Sequence, residues 1–354
     1  MPWAAPLHVF LGLLRKHRWR SVRAWHRLAA WLIVCLALQR TIRLDERLYD
    51  DHLGNAGVPD DPVFIVGHWR TGTTLLHNLL ALDRESFAYP TNFQCLFPTV
   101  CLALSDRGAF ARSFGWRLPP TRPLDNMRWD IGTPQEDELV YLPEGGFNYF
   151  HESMIFPRTT PFDPARVLVD SNDGPTREIT ARFFRKLRFL HGRRLVAKSP
   201  GHAFRLPTLA ALFPRSRYVV IIRRPSDVVL STMHMKSVFR HHASLQGPHA
   251  ESVEWTAEFL GFYASVLRMH LARLALGTHV LVRYEDLVHD PIAAVRAIYR
   301  RLELPYRDRY ARALRAEVES LRHFRTKQYA LSPAVRELAE HHCREVSDAW
   351  GYER

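Results

Sequence analysis

Apolar residues in this chain follow two periods. Val63–Val66, Leu195–Ala197, Tyr218–Ile222 and the segment His279–Val282 are short, nearly continuous apolar runs, the pattern of strands buried on both faces of a parallel sheet. Between and after them, apolar positions recur at helical spacing over Leu75–Leu82, from Ser226 to about Phe239, and over Glu251–Leu276, Pro291–Leu302 and Pro333–Ala349. Strands alternating with helices predict an α/β fold with right-handed crossovers. Ahead of the first strand, Trp25, Leu28, Ala29, Leu32 and Leu36 also repeat at helical spacing. Two helices are expected there, around Leu7–Arg15 and Ser21–Arg40. The predicted organisation is a helical extension over residues 1–58 followed by one α/β domain over 59–354.

Composition adds a sign to this picture. A chain of 354 residues with 47% hydrophobic content fills a real core, so general disorder is excluded. Its 49 Lys+Arg against 36 Asp+Glu leave +13, a balance that suits an anionic partner. Between Met1 and Leu44 there is no Asp or Glu, whereas Arg15, Lys16, Arg18, Arg20, Arg23, Arg27, Arg40 and Arg43 are all basic. The longest apolar run of the extension, Leu28–Leu38, falls short of the roughly 18 to 20 residues that cross a bilayer. A secretory signal is also disfavoured, because the run lies far from the start and ends in Gln39-Arg40. Two readings of residues 1–44 stay open: a peripheral contact with an anionic membrane, or a helical hairpin packed on the domain; an organelle transit peptide is a third, favoured by the arginines and disfavoured by the scarcity of serine. Cys35, Cys95, Cys101 and Cys343 have neither metal nor disulfide-framework spacing, which points to free thiols and a cytoplasmic setting.

The chemistry begins where Val63–Val66 runs into Gly67-His68-Trp69-Arg70-Thr71-Gly72-Thr73-Thr74 and a helix. Strand, glycine loop and helix cradle phosphate, because unpaired N–H groups and the helix dipole converge on an anion. Gly67-x4-Gly72 has Walker A spacing, but Thr73 stands where the lysine belongs. No run of four apolar residues followed by Asp is evident to organise magnesium. An ordinary ATPase or GTPase is therefore disfavoured. Arg70, Thr71, Gly72, Thr73 and Thr74 suit a 5′-phosphate that carries something other than a polyphosphate.

Phe64 to His77 resembles the 5′-phosphosulfate loop of the sulfotransferase superfamily, in particular its bacterial sulfotransferase-3-like branch. The resemblance implies a P-loop-like three-layer fold and the donor 3′-phosphoadenosine 5′-phosphosulfate (PAPS), released as adenosine 3′,5′-bisphosphate without an obligatory metal. A second block agrees: the strand Arg217–Ile222 ends in Arg223-Arg224-Pro225. In the superfamily the arginine closing this strand and a serine eight residues on bind the 3′-phosphate, which implies Arg223 and Ser231. Arg224 stands where many relatives have Asp. Arg325-Thr326-Lys327-Gln328-Tyr329 resembles the basic segment that closes over the nucleotide, with Lys327 as its phosphate ligand.

Lys198-Ser199-Pro200-Gly201-His202 resembles the K-S-P-x-H block of this branch. A lysine ending a parallel strand points into the ligand crevice, where Lys198 is suited to stabilise charge on the bridging oxygen. Transfer to an alcohol also needs a proton acceptor. Pro134-Gln135-Glu136-Asp137-Glu138 resembles the P-x-E-D-E segment, which makes Glu136 the first candidate and His202 the alternative, ahead of His68 and His77. An acidic first helical turn would explain the same carboxylates. Some relatives carry the base some twenty residues after the first loop, but Tyr89-Pro90-Thr91-Asn92 has no carboxylate.

The aromatic interval Phe93–Phe162, with Trp116, Trp129, Tyr141, Phe147, Tyr149 and Phe150, fits either an acceptor wall or ordinary core. The expected acceptor is a hydroxyl, less readily an amine, on a small molecule, lipid or glycoside. No nucleic-acid partner is expected. Two rivals remain, a P-loop nucleotide kinase and a non-enzymatic basic adaptor for membrane or nucleic acid.

Overall fold

Three of the four apolar runs form strands because burial on both sheet faces rewards them at nearly every position; the fourth, His279–Arg283, was expected to be buried likewise but is an edge strand in which only Val282 is buried and Leu281 is exposed. The computed structural model describes residues 4–53, 57–105, 121, 127, 129–322 and 333–352. Strands β1 (Val63–Val66), β2 (Val196–Lys198), β3 (Arg217–Ile222) and β4 (His279–Arg283) make one parallel sheet in the order β2-β1-β3-β4. The helices that carry the argument are α1 (Leu7–Lys16), α2 (Trp25–Leu53), α3 (Thr73–Ala81), α4 (Tyr149–Ile155), α5 (Gly174–His191), α6 (His202–Leu212), α7 (Pro225–Ala243), α8 (Val253–Leu271), α9 (Pro291–Arg301) and α10 (Asp308–Leu321).

Alternate strand residues face opposite layers. Val63, Ile65, Val196, Val219 and Ile221 pack with Leu76, Leu79 and Leu80 of α3, Val295 and Ile298 of α9, and Leu314 of α10. On the other face, Phe64, Val66, Ala197, Tyr218, Val220 and Ile222 meet Phe183, Phe184 and Leu187 of α5, Leu206 and Leu209 of α6, and Tyr263 of α8. This is the three-layer α/β architecture expected. The chain leaves β1 towards β2 and leaves β3 towards β4, so the topological switch point lies between β1 and β3, where open α/β sheets bind ligands.

Helix limits differ where local chemistry overrides periodicity. Helix α2 continues past Arg40 to Leu53, because Ile42 is buried and Asp45 is captured by the domain. Asp45 pairs with Lys186 at 2.6 Å and accepts the backbone N–H groups of Leu102 and Ala103. The last expected helix breaks at Cys343 into Pro333–His342 and Arg344–Ala349.

The amino-terminal helices pack on the domain along one side. Phe10, Trp31 and Cys35 join Leu142, Ile155, Phe156 and Leu245 in one buried cluster. Glu152 of α4 holds both Lys16, at 2.6 Å, and His17, at 3.0 Å. Among the described residues no helix is long and apolar enough to cross a membrane. All four cysteines are unpaired and buried.

His68, His77 and His151 are among the buried histidines. Burial drives them down from 6.5 to about 3, 3 and 4 respectively. Their folded values lie below the unfolded one, so stability is intact above pH 6.5 and is lost as pH falls towards those values. Each contributes a slope of up to about 1.4 kcal/mol per pH unit. We expect the urea midpoint to fall steadily between pH 6 and pH 4, before most carboxylates titrate; a flat midpoint across that window would show that these rings are not buried neutral.

Candidate active site

The loop after β1 turns directly into α3. Gly72 opens that helix at φ +93°, and a side chain there would also run into the Tyr284 ring; only glycine fits both conditions. Thr71 folds back to donate its hydroxyl to His68 O at 2.7 Å. Arg70 lies in the left-handed region at φ +73°, which costs a non-glycine residue about 1–2 kcal/mol. Such strain collects at ligand clamps.

What holds Arg70 there comes from β3 and α7. Its Nε donates to Ser231 Oγ at 2.8 Å, and Arg223 Nη1 donates to its carbonyl at 3.1 Å. Arg223 in turn lies over the Tyr284 ring at 4.5 Å and approaches Asp227 at 3.9 Å. Its Nε is buried with no hydrogen-bond partner among the described residues. The cradle therefore brings Arg70, Thr71, Gly72, Thr73, Thr74, Arg223 and Ser231 to the switch point. Lys327 lies outside the described residues, as does Trp116.

On the far side of β1, Lys198 ends β2 beside Ile65. It is one strand from the loop and two from Arg223, about 10 Å across by interstrand spacing. Lys198 Nζ sits 2.9 Å from Glu136 Oε2. The next two carboxylates repeat the arrangement. Asp137 Oδ2 lies 3.0 Å from His202 Nε2, and Glu138 binds Arg205 and Ser199 Oγ. Three consecutive acids thus face Lys198, His202 and Arg205. Glu136 caps the short helix Asp137–Val140, so the acidic stretch does begin a helical turn while its side chains point at partners.

The three pairs differ in access. Glu136 is 17% exposed, whereas Asp137, Glu138, His202 and Arg205 are buried. Burial pushes the Glu138 carboxyl upward, but the Arg205 guanidinium and the Ser199 hydroxyl outweigh it and hold the group below the ordinary range. Arg205 is correspondingly raised and stacks over Tyr141 at 4.2 Å. Gly201 leaves the space that the Glu138 carboxylate occupies. His202 is sealed beneath Asp137, edge-on to Phe64. His68 Nδ1 donates to the Trp69 carbonyl at 2.9 Å, and His77 Nε2 donates to Val196 O at 3.2 Å.

Within the aromatic interval, Tyr141, Tyr149 and Phe150 belong to the main core. Phe150 also stacks on Trp69 of the phosphate loop, with ring centroids 3.9 Å apart, so this core reaches the site. Tyr284 is the residue that sequence reasoning missed; it fills the space under Arg223 and against Gly72. Arg205 was discoverable, because Lys198, His202 and Arg205 repeat at four- and three-residue steps opposite three consecutive acids.

Comparison with known proteins agrees with this fold. A model described as the sulfotransferase family matches residues 62–308. Omega-hydroxy-beta-dihydromenaquinone-9 sulfotransferase Stf3 of Mycobacterium bovis is 30% identical over 378 aligned positions, covering 99% of this chain and 92% of its own. The crystal structure of sulfotransferase STF9 from Mycobacterium avium superposes with a TM-score of 0.69 at 19% identity, covering 94% of this chain and 88% of that one. Sulfotransferase STF1 from Mycobacterium tuberculosis gives 0.63 at 17%, covering 95% and 91%.

Removing one member of the innermost pair should be costly. Arg205→Met leaves Glu138 buried and unpaired, with an expected loss of about 3–5 kcal/mol in chemical denaturation. The double variant Arg205→Met, Glu138→Leu should recover much of that loss. Equal stabilities for wild type and Arg205→Met would remove the pair from the folding account.

Proposed function

Because the chain belongs to the sulfotransferase family, we propose that it transfers the sulfuryl group of PAPS to a hydroxyl on a lipid acceptor. The acceptor class is supported by the 30% identical relative, which is named for an omega-hydroxy-beta-dihydromenaquinone-9. The enzyme works in the cytoplasm and meets this acceptor at the inner face of a membrane, through residues 1–44.

The cradle fits such a donor. Its N–H groups at the start of α3, with Arg70, Thr71, Thr73 and Thr74, suit the 5′-phosphosulfate. The buried, unpartnered Nε of Arg223 and the Ser231 hydroxyl suit the 3′-phosphate. PAPS supplies an electrophilic sulfur on a phosphate leaving group. The acceptor oxygen forms its bond to sulfur as the bond from sulfur to the 5′-phosphate oxygen breaks, leaving adenosine 3′,5′-bisphosphate.

The observation that carries the mechanism is the Lys198–Glu136 pair at 2.9 Å, the one member of the triple interlock open to solvent. Glu136 takes the acceptor's hydroxyl proton. Lys198 sets positive charge beside the departing oxygen, where a water-poor site makes it effective. His202, buried on Asp137, is a positioning residue that keeps the acidic segment in register with Lys198. Positioning and fixed charge supply most of the catalysis.

Two measurements test this reading. Adenosine 3′,5′-bisphosphate should raise the thermal midpoint more than ATP with magnesium, by about 2.7 kcal/mol of stability at a hundredfold excess over Kd, and Arg223→Ala should abolish the effect. Stabilisation by ATP–magnesium alone would instead favour a kinase. Glu136→Gln should lower kcat by about 10²–10⁴-fold with bisphosphate stabilisation unchanged. Full activity in that variant would remove Glu136 as the base.

A further inference from the structure

Helix α2 is apolar on two opposite sides, and the fold accounts for only one. Trp31, Cys35, Leu38 and Ile42 are buried against the domain. On the outer side, Trp25 (53% exposed), Ile33 (66%) and Leu36 (51%) face solvent, and Val34 of the same helix, Leu11 of α1 and Trp19 of the turn between the two helices are exposed as well. A helix at the surface of a soluble domain normally turns a polar face outward. Scattered exposed apolar side chains need no explanation, but a contiguous set with no charged residue between Leu28 and Gln39 does.

The surroundings carry charge of one sign. Arg18, Arg20, Arg23 and Arg27 flank the apolar stretch on one side and Arg40 and Arg43 on the other. Where α2 begins, a cavity of about 590 Å³ opens between α2, the end of α7 and the following loop. Arg23, His26, Arg27, Arg240, His241 and His249 line it, and no carboxylate does. Arg240 is neutralised from behind by Glu251, and Arg27 donates to the carbonyls of Ser244 and His241. Arg23 and the histidine edges are left facing the opening.

We propose that this side of α1 and α2 docks on an anionic lipid bilayer, with the helix lying in the plane of the surface and a lipid phosphate headgroup seated in the basic cavity. The charge-free stretch of α2 is about 18 Å long, too short to cross a hydrocarbon core of about 30 Å but suited to the interface. Arginines at both ends reach headgroups while the apolar side chains enter the acyl boundary. Tryptophans such as Trp19 and Trp25 favour that depth. Helix α7 carries Ser231 of the nucleotide cradle and His241 of the basic cavity, about 15 Å apart along its axis. Docking therefore brings the transfer site within reach of a membrane-borne acceptor. This rests on the lipid-acceptor reading for its purpose, while the binding surface stands on its own.

Flotation of the full chain with vesicles is the test. We expect it to bind phosphatidylcholine vesicles containing phosphatidylglycerol, to bind pure phosphatidylcholine at least about tenfold more weakly, and to be released by high salt. Ile33→Asp with Leu36→Asp should reduce binding by about tenfold or more while leaving bisphosphate stabilisation and turnover of a short, water-soluble hydroxyl acceptor unchanged. Binding that survives these substitutions, or absent binding by the wild-type chain, would overturn the proposal. So would a concentration-dependent dimer that the substitutions dissolve, because the face would then belong to a second copy. Binding of inorganic phosphate without vesicle binding would assign the cavity to a soluble anion instead. Vesicle binding without sulfuryl transfer would overturn the catalytic reading and leave the surface standing.

Discussion

Glu136, Asp137 and Glu138 bind Lys198, His202 and Arg205 in parallel, and the β2 edge of the sheet depends on this contact. Neither segment would hold its course alone. The acidic stretch arrives from a loop, and the basic one crosses from the end of β2 into α6. Their innermost pair is deep in the protein, where attraction between charges is strong and an unpaired charge is costly. Only a close fit repays the desolvation, and Gly201 and Ser199 provide it by yielding space and a hydroxyl. The outermost pair inherits this order without needing to supply it, so Glu136 is held in place while partly open to solvent, with Lys198 buried beside it.

A second constraint comes from topology. With β1 between β2 and β3, the loop after β1 has Lys198 on one side and Arg223 on the other, and the two cations cannot collapse onto each other. Tyr284 closes the floor beneath Arg223 and excludes any side chain at Gly72. The strained backbone of Arg70 is tied from α7 and β3 together. These contacts make the cradle a junction of four separate parts of the chain rather than a property of the loop alone.

How much of this was legible in the sequence follows from the range of each interaction. Strands β1 to β3 stand out because burial on both faces demands apolar residues at nearly every position, a local signal. The phosphate loop stands out because its spacing is local too. The matching steps of the acids and of Lys198, His202 and Arg205 were there to be read, but which acid meets which cation was not, since the two segments are about sixty residues apart and periodicity says nothing of which loop meets which strand. Tyr284 was hidden for the same reason. The extension left two readings open because Trp25, Leu28, Leu32 and Leu36 satisfy one periodicity for both. The structure divides them, turning Trp31 and Cys35 inward and Ile33 and Leu36 outward.

The graded burial along the acidic segment has a further meaning. The carboxylates that secure the architecture are not the one proposed to meet a reactant, so on that reading chemistry and foldedness are separable in this scaffold. A single change at the rim can silence turnover and leave a sound, ligand-competent body behind. Divergence can proceed by that route, with descendants that keep the nucleotide cradle and the shape of the protein while abandoning the reaction.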